Sequence, residues 1–315
     1  MRRPLTLLLV AVTIFGSGAC GRGKTGGGRP RVALVLKTLN NPFFIDLQKG
    51  AEAAAARLNV DLTVQAAERE TDVEKQMQII ENLVQAGVDA LAIAPSGSKE
   101  IVPAVGKAKQ AGIPVVIVDD RIDAQAAADA GVHTDAYVGS DNVEGGRIAG
   151  RYLVQISGGK ANVALLEGIP GHQTGDARLK GFREAIQGAP GIKIVTSQTA
   201  NWERDQGFTV FQNMLQANAS IDAVFACNDM MALGAVEAIR AAGKTGKIRV
   251  VGFDAVEDAR KAIAAGAMDG SVAQFPSEMG RIAVESAVKL IRHEAVPAEQ
   301  ATRLEMITKA NVGGS

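Results

Sequence analysis

The chain is poor in the residues that most often announce chemistry: two cysteines, three histidines, one tryptophan and two tyrosines among 315 residues. If Cys20 belongs to an N-terminal anchor, Cys227 is the only thiol left, and an exported body with one thiol has no intramolecular disulfide. Cys227 closes an apolar run and is expected to be buried. His133, His172 and His293 lie far apart, without cysteines or paired carboxylates at ligand spacing, so no metal site is expected. Net charge is missing too. Lys+Arg and Asp+Glu both number 34, so no overall field draws the chain to nucleic acid or to an acidic surface. Aromatic residues make up only 4%, yet Phe43, Phe44 and Trp202 fall in polar stretches rather than in apolar runs.

The N-terminus is a targeting segment. Arg2 and Arg3 give a basic start, and the apolar run Leu5 to Phe15 is too short to span a bilayer. Gly16-Ser17-Gly18-Ala19-Cys20 resembles a bacterial lipobox, although Ser17 stands where an aliphatic residue is usual. Residues 1–20 are therefore expected to be a lipoprotein-type signal peptide, with Cys20 lipidated, and residues 21–30 a Gly-rich tether. The body would be exported, to the periplasm or the outer face of the cytoplasmic membrane. Gly18 to Thr25 fits the letters of a phosphate-binding loop, but such a loop must follow a core strand and open a helix. Here it straddles a cleavage site and runs into Gly26, Gly27 and Gly28.

Along the body, short β-branched runs alternate with longer helical patterns. Strands are predicted at Val32–Leu36, Leu62–Gln65, Ala90–Ala94, Val115–Val118, Val163–Leu166, Lys193–Thr196, Ala223–Ala226 and Val250–Gly252. Helical spacing marks Ala51–Leu58, Lys75–Gln85, Gly145–Ile156, Leu179–Ile186, Gly207–Leu215 and Ala232–Arg240. This repetition predicts an α/β fold with parallel sheets covered by helices on both faces. The length favours two domains. A weak internal echo supports two similar units: strand, polar Pro-containing loop and helix occur after Val32–Leu36 and again after Val163–Leu166, with a break near Ala136–Asp141.

In open parallel sheets, ligands bind outside the carboxyl ends of the strands. That rule selects Lys37, Asn41, Phe43 and Phe44 after the first strand, Asp119 and Asp120 after Val115–Val118, and Arg178 beyond the Val163 strand. It also selects Asn228 after Ala223–Ala226, Asp254 after Val250–Gly252, and Gln274 after the extended run Gly270–Ala273. Carboxylates accept from hydroxyls, amides donate and accept, and arginine presents a planar fork of donors. Flat rings suit the C–H face of a sugar. The plain structural alternative is that the two phenylalanines begin the core of the next helix and that Asp229 is a helix cap.

The segments Thr38-Leu39-Asn40-Asn41-Pro42-Phe43-Phe44, Ser140-Asp141-Asn142-Val143, Asn228-Asp229-Met230-Met231-Ala232-Leu233-Gly234, Val251-Gly252-Phe253-Asp254 and Ala273-Gln274 resemble the bacterial periplasmic sugar-binding proteins of the ribose, galactose and allose type. The resemblance covers roughly Arg31 to Asn311. It implies a type I periplasmic-binding-protein fold: two doubly wound parallel-sheet lobes joined by a three-strand hinge. One lobe would comprise residues 31–140 plus 275–300, the other 141–274 plus 301–315. It further implies ligand contacts at Asn41, Phe43, Phe44, Asp119, Arg178, Trp202, Asn228, Asp254 and Gln274. Lys37 and Asp120 stand where ribose binders usually have a small residue and an arginine, so the chain looks closer to allose-binding relatives. Phe44 stands where Trp is found among allose binders and leaves that choice open.

The resemblance implies a substrate-binding subunit of an ABC sugar importer, without cofactor, acting as a monomer beside a membrane permease and taking a monosaccharide. The alternative is a sensor that presents a sugar or autoinducer to a membrane kinase or chemoreceptor. A glycosidase using Asp119 with Asp254 is a third class, disfavoured because both carboxylates sit among ligand-binding amides. Transcriptional repressors sharing this core carry a helix-turn-helix where this chain has an export signal.

Overall fold

Short runs such as Arg31-Val32-Ala33-Leu34-Val35-Leu36, buried at every position after the first, form the centre of each sheet in the computed structural model, which describes residues 28–313. The expected signal segment, Cys20, the phosphate-loop look-alike and most of the expected tether lie outside the described residues. Alternation of strand and helix runs from β1 (Arg31–Leu36) through α1 (Pro42–Leu58), β2 (Asp61–Ala66), α2 (Val73–Gln85), β3 (Ala90–Ile93), α3 (Val102–Gln110), β4 (Val115–Val118) and α4 (Ala124–Asp129) to β5 (Ala136–Ser140). It resumes with α5 (Asn142–Ile156), β6 (Lys160–Glu167), α6 (Gln173–Ile186), β7 (Gly191–Thr199), α7 (Arg204–Ala217), β8 (Ala223–Ala226), α8 (Asp229–Ala241), β9 (Arg249–Asp254), α9 (Glu257–Ala264) and β10 (Gly270–Ala273). The chain then forms α10 (Pro276–Ile291), β11 (Glu299–Thr302) and β12 (Glu305–Thr308).

The strand orders of the two sheets are β2-β1-β3-β4-β5-β11 and β7-β6-β8-β9-β10-β12. They are the same doubly wound topology, so the internal echo in the sequence is a repeated architecture. Neighbours pair in parallel except β10 with β12, which is antiparallel. Every expected strand is present. The edge strands β11 and β12 were not foreseen, because their sequences, Glu-Gln-Ala-Thr and Glu-Met-Ile-Thr, are half exposed and lack an apolar run.

Helix α10 packs on α1 and on β3, β4 and β5 of the first sheet, although β10 before it belongs to the second. The chain thus passes between sheets after β5, after β10 and between β11 and β12, which makes the three-strand hinge. All four residues of β11 pair with β5, so the first sheet extends to Thr302, past residue 300 where the change of lobe is expected. Close helix packing fixes what the loops present. A Cβ on Gly146 of α5 would lie 2.0 Å from the Arg178 carbonyl oxygen, so only glycine lets α6 approach this near.

Candidate functional site

The carboxyl ends of strands from both sheets converge on one cavity, where a doubly wound fold places ligands. From the first lobe it is lined by Lys37, Asn41, Phe43, Phe44, Glu70 and Asp119. From the second and the hinge come Thr174, Arg178, Trp202, Asn228, Asp254 and Gln274. Every residue selected from the sequence as a ligand contact is therefore at this place, and all but Asp120 line it. Its volume is about 20 Å³, room for roughly one water molecule, so a larger ligand enters only if the lobes part or side chains withdraw.

On the first wall, Asn41 caps α1: its Oδ1 accepts from the Phe43 amide at 3.0 Å, and its Nδ2 donates to Glu70 Oε1 at 3.1 Å. Pro42 opens the helix. Phe43 and Phe44 stand edge to face, with centroids 5.2 Å apart. Both belong to the buried core and both line the cavity, so the two readings of this pair hold together. Lys37, only 3% exposed, donates to Asp120 Oδ2 at 3.0 Å and lies 3.8 Å from Glu70 and 3.9 Å from Asp119.

Asp120 sits behind this lysine. Its Oδ1 accepts from the Thr174 hydroxyl at 2.6 Å and the Thr174 amide at 3.3 Å, at the first turn of α6 in the other lobe. Its carboxylate therefore ties the lobes together and anchors Lys37, rather than facing the cavity. The helix N-terminus it approaches favours a negative charge.

On the second wall, Arg178 is held from several sides. Nε donates to Asn142 Oδ1 at 2.8 Å and Nη1 to the Cys227 carbonyl at 2.6 Å, while Asp254 Oδ1 is 3.7 Å from Nη1. The guanidinium lies 3.8 Å from the centroid of Phe253. Cys227 is buried as expected, and burial pushes its thiol up to about 12, so it contributes a carbonyl and not a nucleophile. Trp202 donates from Nε1 to His172 Nδ1 at 3.4 Å. Gly168 makes room for the indole, since a Cβ there would sit 1.9 Å from Cζ2.

Asn228 is the cap of α8, accepting from the Met231 amide at 2.9 Å and donating to the Trp202 carbonyl at 3.0 Å. The cap role expected for Asp229 thus belongs to its neighbour. Asp229 is the first helical residue and accepts from the Ser271 hydroxyl at 2.6 Å and the Val256 amide at 2.9 Å. Gln274 Nε2 donates to Asp254 Oδ1 at 2.6 Å, and Gln274 Oε1 is a buried acceptor with no partner among the described residues. Buried acceptors are rarely left so.

Three cavity residues, Asp119 (φ +65°), Trp202 (φ +67°) and Asp254 (φ +107°), hold backbone conformations that L-residues seldom adopt. Such conformations persist where the surroundings over-determine them, and they cluster at ligand sites. Electrostatics is displaced in the same place. Burial pushes Glu70 up to about 7, partly countered by Lys37 and Asn41, and raises Asp119 and Asp254. Burial also acts on Asp120, but Lys37, His172 and Thr174 outweigh it and hold this carboxyl below its usual range. Burial and Lys37 push His172 down to about 4, so its imidazole is neutral near pH 7.

The periplasmic binding protein domain family matches residues 32–295. The chain belongs to the periplasmic binding proteins. It is 37% identical over 277 residues to the D-allose-binding periplasmic protein of Escherichia coli, spanning 87% of this chain and 89% of that one. It is 38% identical over 278 residues to the ribose import binding protein of the same organism, spanning 88% and 90%. An ABC transporter periplasmic solute binding protein of Actinobacillus succinogenes, solved with bound D-allose, superposes with a TM-score of 0.86 at 39% identity, covering 91% of this chain and all of that one. The Caulobacter myo-inositol binding protein, bound to myo-inositol, gives 0.84 at 33% identity, covering 92% and 97%. The fold is the type I periplasmic-binding-protein fold, and these relatives are transport proteins rather than enzymes. Among the described residues, no helix is long and apolar enough to cross a membrane.

Two cavity residues, Glu70 and Thr174, escaped the reading of the sequence. Glu70 lies in the loop after β2 within Glu-Arg-Glu-Thr-Asp, where nothing separates a buried acid from exposed ones. Thr174 lies after β6, and the strand-end rule applied to that loop could have found it.

Proposed function

We propose that this periplasmic binding protein takes a monosaccharide between its two lobes as the solute-binding component of an ABC sugar importer. The observation that carries the reading is Gln274 Oε1, a buried acceptor without a partner among the described residues, in a cavity shared by Arg178, Asp254 and the rings of Phe43, Phe44 and Trp202. A hydroxyl-rich ring satisfies that acceptor and offers its C–H faces to the aromatics. Lobes of 31–140 with 275–302 and of 141–274 with 303–313 close on it, and closure favours the liganded state by its differential affinity. Ligand contacts are assigned to Lys37, Asn41, Phe43, Phe44, Asp119, Arg178, Trp202, Asn228, Asp254 and Gln274, with Asp120 acting through Lys37.

The buried Lys37–Asp120 pair supports an allose-like over a ribose-like cargo. A cation at 37 calls for an acid at 120, so the two departures from the ribose pattern form one charge-matched exchange. Export by the N-terminal segment, a lipid on Cys20, a monomeric state and docking on a membrane permease complete the reading. The test is a calorimetric titration of the body from Arg29 onward with D-allose, D-ribose, D-galactose, D-glucose, D-xylose, D-psicose and myo-inositol. Saturable binding of one or a few of these is expected. Binding of none, in protein freed of co-purified ligand, would overturn the reading. Replacement of Cys20 by serine should release the protein from the membrane fraction.

A further inference from the structure

We infer that Glu70 is a ligand-contacting, specificity-determining residue, whose Oε2 accepts a hydroxyl hydrogen of the bound sugar. This rests on the sugar-binding reading above. Glu70 comes from a surface loop, between β2 and α2, yet it is only 4% exposed and lines the cavity. Its Oε1 is engaged by Asn41 Nδ2 at 3.1 Å, which fixes the carboxyl plane. Its Oε2 has Lys37 Nζ at 3.8 Å, beyond hydrogen-bond length.

Of the neighbouring acceptors on this wall, Asn41 Oδ1 is engaged with the cap of α1 and both oxygens of Asp120 with Thr174 and Lys37, while the Asp119 carboxylate, 3.9 Å from Lys37, stands beside Glu70 as a second acceptor at the cavity. Glu70 Oε2 is thus an acceptor held in place with capacity left at the cavity. The charged groups that face Glu70 are Lys37 from β1's end, Asp119 from β4's end and Glu203 ahead of α7 in the other lobe. One cation against two further acids does not account for burying a carboxyl here. Burial raises it to about 7, a penalty to the sugar-free protein that a hydroxyl donor would relieve.

The experiment compares wild type with Glu70→Ala and Glu70→Gln by calorimetry, using the panel sugar that binds and its monodeoxy analogues. Glu70→Ala should lose about tenfold to a hundredfold in affinity, the range for a hydrogen bond to a charged group. Wild type should lose a similar factor for one monodeoxy analogue, whereas Glu70→Ala should bind that analogue as well as the parent sugar. Glu70→Gln should bind more weakly while melting higher than wild type, without sugar, at pH 8. A merely structural residue would lower both. Unchanged affinity in Glu70→Ala, or equal losses across all the analogues, overturns the inference while leaving sugar binding intact. If wild type binds no sugar, the underlying reading fails and this one with it.

Discussion

On the first wall of the cavity one ammonium, Lys37, faces three carboxyls, Glu70, Asp119 and Asp120, whereas on the second wall the Arg178 guanidinium faces Asp254. The second wall is held by geometry. Asn142 and the Cys227 carbonyl fix Arg178, Phe253 packs against it, and Gly146 sets the height of its backbone. The first wall is held by charge, around a lysine whose neighbours titrate outside their usual ranges. Burial alone would lower the lysine's pKa, but Asp120, Glu70 and Asp119 together raise it. A wall built on a fixed donor presents one pattern of hydrogen bonds, while a wall built on balanced charges responds to pH and to each substitution.

Breaking the second wall should have the largest effect. Arg178→Ala leaves Asp254 buried without its cation, a loss of about 3–5 kcal/mol for such a pair. Sugar affinity should fall at least about a hundredfold by calorimetry, with the circular dichroism spectrum retained. Asp254→Ala should abolish binding similarly. On the first wall, Lys37→Met should weaken binding about tenfold to a hundredfold and lower the melting temperature. That loss of stability should shrink as pH falls and the three orphaned carboxyls take up protons, whereas the Arg178→Ala defect in binding should remain.

A smaller effect separates Glu70 from the rest. Because burial raises its carboxyl from 4.5 to about 7, the fold favours the protonated form. Its stabilising contribution is present below about 4.5 and is lost as pH rises through about 7. The melting temperature of Glu70→Gln, without sugar, should therefore gain on wild type by a few degrees between pH 5 and pH 8. The smallest effect should come from the tie between walls. Thr174→Val removes the hydroxyl that bridges to Asp120 and should weaken binding about threefold to tenfold, mainly through faster release. Paired with Asp120→Asn, it should be non-additive in a double-mutant cycle.

How much of this was legible in the sequence depended on the kind of force at work. Central strands announce themselves because burial on both faces demands apolar runs, and the strand-end rule then reached Lys37, Arg178 and Gln274 without any coordinates. Residues whose role depends on a partner far along the chain could not be read. Asp120 looked like a ligand residue because it follows β4, but Thr174 and Lys37 claim both its oxygens. Asp229 looked like a cap because Asn and Asp share that preference, and only the Met231 amide shows that Asn228 holds it. Glu70 was invisible because burial, which makes it unusual, leaves no mark on a polar loop. The edge strands were missed for the opposite reason, since half-exposed residues carry too little pattern.

The central claim is that the lobes close on a sugar at this cavity, and solution scattering with and without the panel sugar that binds tests it most directly. The account predicts that wild type contracts on saturation with sugar, and that Arg178→Ala does not contract at the same sugar concentration. A wild-type profile unchanged by saturating sugar would contradict it, because the sugar would then bind without bringing these two walls together.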